Sequence, residues 1–370
     1  MTPPEAKPMS APLALGARIG VMGGGQLGRM LALAGADLGF DIHVWHETAD
    51  SPAARVAAQE WVAPFDDAAT AARFAQAVDA VTYEFEHVPL DAAEAVLAAG
   101  GVLRPGAQAL AVAQDRAAEK AFAQEVGAAP APHVVVDAHT DWATAWATLG
   151  TDRAVLKTRR LGYDGKGQAR VRSAAEAEAV FAELGGVGCV LEAFVDFVRE
   201  VSVIIARGAD GRLAPFAVCE NTHQDGVLAE TRAPAQCSEA TARRAVEIAA
   251  AMAEALDYVG VLTVEFFETL AGEVLVNEIA PRVHNSGHWT REACRHSQFS
   301  QHMRAVAGWP LGDPARIADA RMLNILGDPN AVWPQWRDRA DAVVTLYGKR
   351  APRPGRKTGH VVITAPLSDP

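Results

Sequence analysis

From Arg18 to about Gly101, short apolar runs alternate with longer segments of helical spacing. Arg18–Met22, Asp41–Trp45 and Ala80–Tyr83 read as strands, and Ala-rich stretches near Gln26–Leu38, Asp67–Val78 and Leu90–Ala98 read as helices. Strands alternating with helices predict a parallel sheet with right-handed crossovers. Arg104-Pro-Gly-Ala breaks both periods and reads as a linker. A helix over Gln114–Val126 follows, ended by Pro130 and Pro132. The middle of the chain then changes pattern. Thr151–Lys157 is a strand that runs into a glycine-punctuated loop, followed by a further strand and a helix over Ala174–Leu184. Gly188–Glu192, Glu200–Arg207, Leu213–Glu220 and Gly226–Ala233 are β-rich, and Gly260–Glu268 and Glu273–Ile279 follow a long helix, Ser238–Leu256. Strands in direct succession predict an antiparallel, α+β arrangement. From about Leu311 the pattern is short strands near Arg321–Leu326, Ala342–Leu346 and His360–Thr364.

Composition narrows the class. The 370 residues are half hydrophobic and 21% charged, with a net charge of −11. That length predicts two or three domains at roughly 100–200 residues each. Such hydrophobicity excludes wholesale disorder, and an acidic chain without a long basic face argues against nucleic acid as a partner. No run reaches the ~18 apolar residues of a membrane span, so no membrane partner is expected. The four cysteines lie apart, without metal-ligand spacing, which suits a reducing, cytoplasmic setting. Residues 1–17 are Pro- and Ala-rich and are expected to be a disordered leader.

Four motifs carry chemistry. Gly23-Gly-Gly-Gln-Leu-Gly28 follows a strand and opens a helix, so its backbone N–H groups can approach a phosphate. With Glu47 beyond it, a dinucleotide site on the same turn is an alternative. Lys157-Thr-Arg-Arg-Leu-Gly-Tyr-Asp-Gly-Lys-Gly-Gln168 joins a strand-end lysine to a glycine loop able to fold over nucleotide phosphates, without being a Walker A loop. Glu265 and Glu278, with Asn277, offer hard oxygen ligands for Mg²⁺ if their strands form a hairpin. Lys349, Arg350, Arg353, Arg356 and Lys357 form a basic stretch that is either a solvated loop or an anion clamp. Eleven scattered histidines without H-E-x-x-H or a G-x-S-x-G elbow give no support to zinc hydrolysis or serine acyl transfer.

Taken in order, these motifs resemble the N5-carboxyaminoimidazole ribonucleotide synthetase family of ATP-grasp carboxylases. The match runs from about Arg18 to His360 through Tyr83-Glu-Phe-Glu-His-Val, Gln114-Asp-Arg, the Gly-Tyr-Asp-Gly-Lys-Gly-Gln loop and Asn277-Glu-Ile-Ala-Pro-Arg-Val-His-Asn-Ser-Gly-His. The resemblance implies an α/β plus α+β chain with the ATP-grasp fold. It places an N-terminal βαβ (pre-ATP-grasp) domain at 18–105, an ATP-grasp domain at 106–310 and a small β-rich C-terminal domain at 311–370. It implies carboxylation of 5-aminoimidazole ribonucleotide with ATP, Mg²⁺ and bicarbonate, by way of carboxyphosphate, in a homodimer. Arg116, Lys157, Gly162, Tyr163, Asp164, Gly165, Lys166, Gly167 and Gln168 are then expected at ATP phosphates. Glu192, Ala193, Phe194 and Val195 are expected at adenine, Glu200 at ribose, and His223 beside the nucleotide. Glu265 and Glu278 are the expected Mg²⁺ ligands, with Asn277 assisting. Gln26, Leu27, Glu84, His284, Asn285, Lys349 and Arg356 are expected at the substrate, with Tyr163, Asp164, Arg282 and Lys357 at the reacting groups. The family pattern commonly continues past Thr364 with a helix and strand, and the leader has no counterpart in it. The competing readings are another ATP-grasp ligase, such as a formate-using transformylase, an NAD-dependent dehydrogenase, or a nucleotide-binding regulator without turnover.

Overall fold

The computed structural model describes residues 11–162 and 166–368. Its first unit is a four-stranded parallel sheet of β1 (Arg18–Met22), β2 (Asp41–His46), β3 (Gln59–Val62) and β4 (Ala80–Tyr83), in the order β3-β2-β1-β4. Helices α1 (Gln26–Asp37), α2 (Ala68–Ala77) and α3 (Leu90–Ala98) make the crossovers. The order reverses between β1 and β4, and a crevice outside the carboxyl ends of strands at such a switch point is where open α/β sheets bind ligands. The glycine turn follows β1 and Glu84 follows β4, so both lie at that point. The expected linker is held down: Leu103 bridges Val81, and α4 (Ala107–Ala113) leads directly into α5 (Arg116–Glu125).

A second, antiparallel sheet has β5 (His133–Val136), β6 (Ala154–Thr158), β7 (Gln168–Val171) and β8 (Cys189–Ala193) in the order β5-β8-β6-β7. It packs under α6 (Trp142–Leu149) and α7 (Ala174–Glu183), with Leu156, Phe181 and Leu191 in its core.

The largest sheet contains β9 (Phe197–Arg207), β10 (Leu213–Pro215), β11 (Cys219–Gln224), β12 (Val227–Ala233), β13 (Gly260–Thr269) and β14 (Val274–Ala280). One face, through Val201, Val203, Leu262 and Val264, is covered by α8 (Glu239–Ala255). The other face meets the first unit through α9 (Thr290–Ala293) and α10 (Gln298–Val306). At this joint His302 accepts from the Val261 N–H at 3.0 Å and bonds Thr82 Oγ1 at 2.8 Å. The C-terminal strands β15 (Asp319–Leu326), β16 (Ala342–Leu346) and β17 (Lys357–Ala365), with α11 (Pro329–Trp336) between the first two, do not form a sheet of their own. β15 pairs with β12, and the run continues β14-β13-β9-β11-β12-β15-β17-β16.

The described part of the leader departs from the expectation of disorder. The Leu13 N–H donates to Ala307 O at 2.9 Å, and Trp309 Nε1 donates to Leu13 O at 2.7 Å. Two backbone anchors suffice to fix that segment against the first core.

Candidate active site

The β13–β14 hairpin sets Glu265 directly opposite Glu278. Phe266 then pairs with Val276, so Asn277 is the extra residue of a β-bulge. Adjacent strand residues ordinarily face opposite sides, and a bulge re-aims one of them. The hairpin therefore sets the two glutamates side by side, with Asn277 in the bulge next to Glu278. Burial, and then the charge of Glu278, push the Glu265 carboxyl above its usual range. Its near neighbours are His284, whose Nε2 is 3.3 Å away, and the charges of His223 and Lys357. Arg116, the first residue of α5, reaches Glu278 at 3.4 Å. On the same face, β9 presents Glu200, whose carboxylate accepts from His223 Nδ1 at 2.8 Å. Burial disfavours the charged form of His223, but Glu200 and Glu265 outweigh it and hold the pKa above its ordinary value.

Cations gather at the end of β6. The Lys157 ammonium lies 2.8 Å from one Glu192 oxygen and the Lys120 ammonium 3.1 Å from the other. Burial raises the Glu192 carboxyl, yet these two lysines prevail and bring it to about 2. Lys120 shares a helix face with Arg116 by its i, i+4 spacing, a signal in the sequence that went unused. Behind Arg116 stands Glu119, buried and raised to about 7, accepting from the Ile279 N–H at 2.5 Å. Asp115 caps α5 and grips Arg159 with both oxygens, at 2.9 and 2.7 Å. That contact ties the glycine loop's entry to the helix bearing Arg116. Gly162 sits over the Arg116 guanidinium, and Gly167 has φ +70, a left-handed position that disfavours any side chain. Lys166 and Gln168 are exposed at the loop's far end. Tyr163, Asp164 and Gly165 lie outside the described residues. Phe194 lies under Arg153, 4.7 Å from the ring centre, while the Ala193 N–H donates to Pro132 O and Val195 is half-buried.

The other wall comes from the first unit and the C-terminal strands. Glu84 is buried, and its carboxylate accepts from the Gly25 N–H and, at 2.5 Å, from the Gly28 N–H. The glycine turn expected to cradle a phosphate is thus filled by the protein's own carboxylate. A methyl group at Gly25 would lie 2.6 Å from the Glu84 Oε1 atom, so the close approach the glycines permit is to Glu84. Gln26 is half-buried there, whereas the Leu27 side chain belongs to the hydrophobic core. Glu86 ion-pairs with Arg282; burial raises its carboxyl, but the guanidinium wins and brings it to about 2. Burial, then Arg282 and Lys357, hold His284 well below the ordinary imidazole value, so its ring is neutral. Asn285 exchanges amide hydrogen bonds with Asn324, at 3.0 and 2.8 Å. Of the basic stretch, the Lys357 charge acts on Glu265, His223 and His284, and that of Lys349 on Glu84. Arg350 instead pairs with Asp50, and Arg356 donates to Arg350 O and Ala351 O at 3.0 and 3.1 Å, bracing the loop. Glu86 and Asp115, which the sequence offered only as parts of quoted motifs, lie here too, as do Lys120, Glu119 and Asn324, which it did not single out.

Comparison with known proteins identifies the family. Residues 16–114 match the model of the ribonucleotide synthetase preATP-grasp domain, 121–299 that of the ATP-grasp domain, and 320–369 that of the phosphoribosylaminoimidazole carboxylase C-terminal domain. The N5-carboxyaminoimidazole ribonucleotide synthase of Brucella melitensis is 48% identical over 353 residues, 95% of this chain and 97% of that protein. The chain belongs to the N5-carboxyaminoimidazole ribonucleotide synthase family. Its members include a synthetase crystallised with ADP, 39% identical, with a TM-score of 0.92 over 96% of this chain and 94% of that one. Another is the Aspergillus clavatus synthase in complex with ADP and 5-aminoimidazole ribonucleotide, 30% identical, with a TM-score of 0.88 over 95% and 94%. Membership makes the chain an ATP-grasp ligase, and the dehydrogenase alternative falls with it. The filled glycine turn is consistent: Glu84 occupies the N–H groups that a dinucleotide's pyrophosphate would need.

Proposed function

We propose that this chain carboxylates 5-aminoimidazole ribonucleotide to N5-carboxyaminoimidazole ribonucleotide, consuming ATP and bicarbonate and releasing ADP and phosphate in purine biosynthesis. The observation that carries the proposal is a single wall-to-wall site. The Lys157–Lys120–Arg116 cations and the Glu265–Glu278 pair lie on one side, with Glu84, Arg282, His284 and Lys357 on the other. A bicarbonate oxygen attacks the γ-phosphorus of ATP, the bond to the bridging oxygen breaks, and ADP leaves. The exocyclic amine of the ribonucleotide then forms a bond to the carboxyphosphate carbon, directly or after that carbon is released as CO₂. Phosphate departs with its electron pair and the amine gives up a proton. Phosphoryl transfer asks for positioned charge around the transferred group, which Lys157 and Arg116 supply from rigid elements. Lys120 and Glu192 hold Lys157 in place, and the glycine loop from Gly162 to Gln168 closes over the phosphates. Carboxyphosphate hydrolyses readily, so a closed loop also serves to exclude water. Glu192 to Val195 line adenine, with the Glu192 carboxylate turned onto Lys157 and Lys120, and Glu200 holds ribose with His223 beside it. Asp164, with Tyr163, orients the amine and receives its proton; Arg282 and Lys357 serve the reacting groups, and Gln26, His284, Asn285, Lys349 and Arg356 complete the substrate side.

The residues fit Mg²⁺. Burial first, and then the neighbouring Glu278 charge, raise the Glu265 carboxyl, and a divalent cation between the two glutamates would offset both the lost hydration and the repulsion. Among the described residues no group of three or more His, Cys, Asp or Glu forms an all-protein cage. One or two carboxylates completed by substrate phosphates is the arrangement Mg²⁺ favours. Glu265 and Glu278, with Asn277, would hold it, and the ion would neutralise charge on the phosphates. A homodimer in the cytoplasm completes the proposal; no helix among the described residues is long and apolar enough to cross a membrane.

The test is ADP release from Mg-ATP in buffer of controlled bicarbonate, with and without 5-aminoimidazole ribonucleotide. Strong stimulation that requires both is expected. Stimulation by formate instead, or none while ATP still raises the melting temperature, would overturn the proposal.

A further inference from the structure

A file of buried hydroxyl and amide groups runs across the largest sheet and ends on His284. Thr231 Oγ1 donates to Asn221 Oδ1 at 2.9 Å, and Asn221 Nδ2 donates to Ser202 Oγ at 2.8 Å. Ser202 Oγ donates to Ser286 Oγ at 2.8 Å, and Ser286 Oγ lies 2.9 Å from His284 Nδ1. Thr231, Ser202 and Ser286 are fully buried, and Asn221 is 5% exposed. The strand register builds this file, because Asn221 pairs with Thr231 across β11 and β12, and Ser202 pairs with Glu265 across β9 and β13.

The direction of the file follows from donor arithmetic. The Ser286 backbone N–H, which can only donate, also points at His284 Nδ1, at 3.3 Å. Nδ1 is therefore an acceptor, and a neutral ring must carry its proton on Nε2. Ser286 Oγ already receives the Ser202 proton, which leaves its own proton for Nδ1. Nε2 is the atom that faces Glu265, at 3.3 Å. The backbone of His284 is fixed as well. Gln298, fully buried on α10, accepts from the His284 N–H at 2.8 Å and donates to its carbonyl at 2.7 Å.

We propose that Ser202 and Ser286, backed by Asn221, are positioning residues that hold His284 with its proton on Nε2, aimed at Glu265 and the reacting groups. None of the three touches the substrate side; each acts through the imidazole. A tautomer set in this way presents a donor at the site at every turnover, where a freely exchanging imidazole would present it only part of the time. The cost of losing it is read as turnover under the synthase reading, on which this inference rests.

The experiment uses the full chain with isotope-labelled histidine, the His284 signals being assigned by their loss in His284→Gln. Wild type is expected to show a bare Nδ1 and a protonated Nε2. Ser286→Ala leaves only the longer backbone N–H contact on Nδ1, and Ser202→Ala frees the Ser286 hydroxyl to turn away. Both should admit a fraction of the Nδ1-protonated ring and lower kcat about 10- to 100-fold, the scale for lost outer-sphere partners, with KM for ATP unchanged. Ser202→Thr, which keeps the hydroxyl on a strand position that accepts β-branching, should restore the tautomer. A purely structural file would reduce the melting temperature and leave kcat per folded molecule and the tautomer as in wild type, which would overturn the proposal. So would a wild-type proton on Nδ1, a result that needs no variant to fold. A wild type with the Nε2 tautomer that responds to both serine variants, but without ribonucleotide-dependent ADP release, would uphold the relay and overturn the assigned reaction.

Discussion

Two glycine-rich turns in this molecule look alike in sequence and do opposite things. Gly23–Gly28 closes on its own chain: the Glu84 carboxylate takes the N–H groups of Gly25 and Gly28. The described ends of the second turn meet a cation and a hydroxyl instead: Gly162 lies over Arg116 and Gly167 against Thr158, and β6, which leads into the turn, carries Lys157 on Glu192. Glycine spacing reports that something approaches the backbone closely. What approaches is set by the neighbouring strand: β4 delivers an acid to the first turn, and α5 with β6 delivers bases to the second.

The sharpest way to break this contrast is Lys157→Met. If the second turn is the nucleotide side, ADP release should fall about 10²- to 10³-fold, as for loss of one charge-stabilising donor. Glu84→Ala should leave ATP affinity unchanged in a binding titration. Equal loss of ATP affinity in both variants would erase the distinction.

Each turn also has a buried acid behind it, and the one under the second turn gives a pH test. Glu119 is raised to about 7 in the folded chain. Its contribution is fully present below the unfolded value and is lost as pH rises from about 4.5 through 7. Glu119→Gln keeps an acceptor for the Ile279 N–H and removes the titration. The variant should match wild type in stability near pH 4 and exceed it by about 1–3 kcal/mol near pH 8. Parallel stability curves across that window would show that Glu119 does not titrate there.

Removing Glu84 strands two N–H groups. Glu84→Ala should cost about 1–3 kcal/mol, the penalty for buried groups left without partners. Inorganic phosphate should recover part of that loss in the variant and do little for wild type, because only the variant leaves a helix N-terminus open to an anion. Smallest is Gly167→Ala, where φ is +70 and the new methyl would lie 2.7 Å from Thr158 Oγ1. About 1–2 kcal/mol is expected from the left-handed backbone, measured by thermal melting.

Much of the fold was legible where burial is one-sided or complete. β1, β4 and α3 lie at the ends their periodicity predicts, because an apolar run or stripe leaves little choice of face. The missed elements share a different cause. β3 is exposed along most of its length, so it carries no alternation to read. α6 is rich in Trp and Thr, which disfavour a helix in isolation; it holds because Ala145 and Leu149 pack on the second sheet. α10 buries Gln298, Gln301 and His302 completely, so polar side chains sit where an apolar stripe would announce a helix. They are buried because each meets a partner from another segment, and one of those partnerships holds His284.

The site divides along the same line. By itself the sequence determined which residue types were available: two glycine turns, a strand-end lysine, two strand glutamates with Asn277 beside one of them, and a basic stretch near the C-terminus. These depend on local spacing, which chain order preserves. Tertiary structure alone decided which charge meets which: Glu84 in the first turn, Lys120 sharing Glu192 with Lys157, Glu86 on Arg282, and Arg350 spent on Asp50 while Lys357 faces Glu265. Those pairings span up to three hundred positions of chain, and electrostatics in a buried site follows distance in space rather than along the sequence.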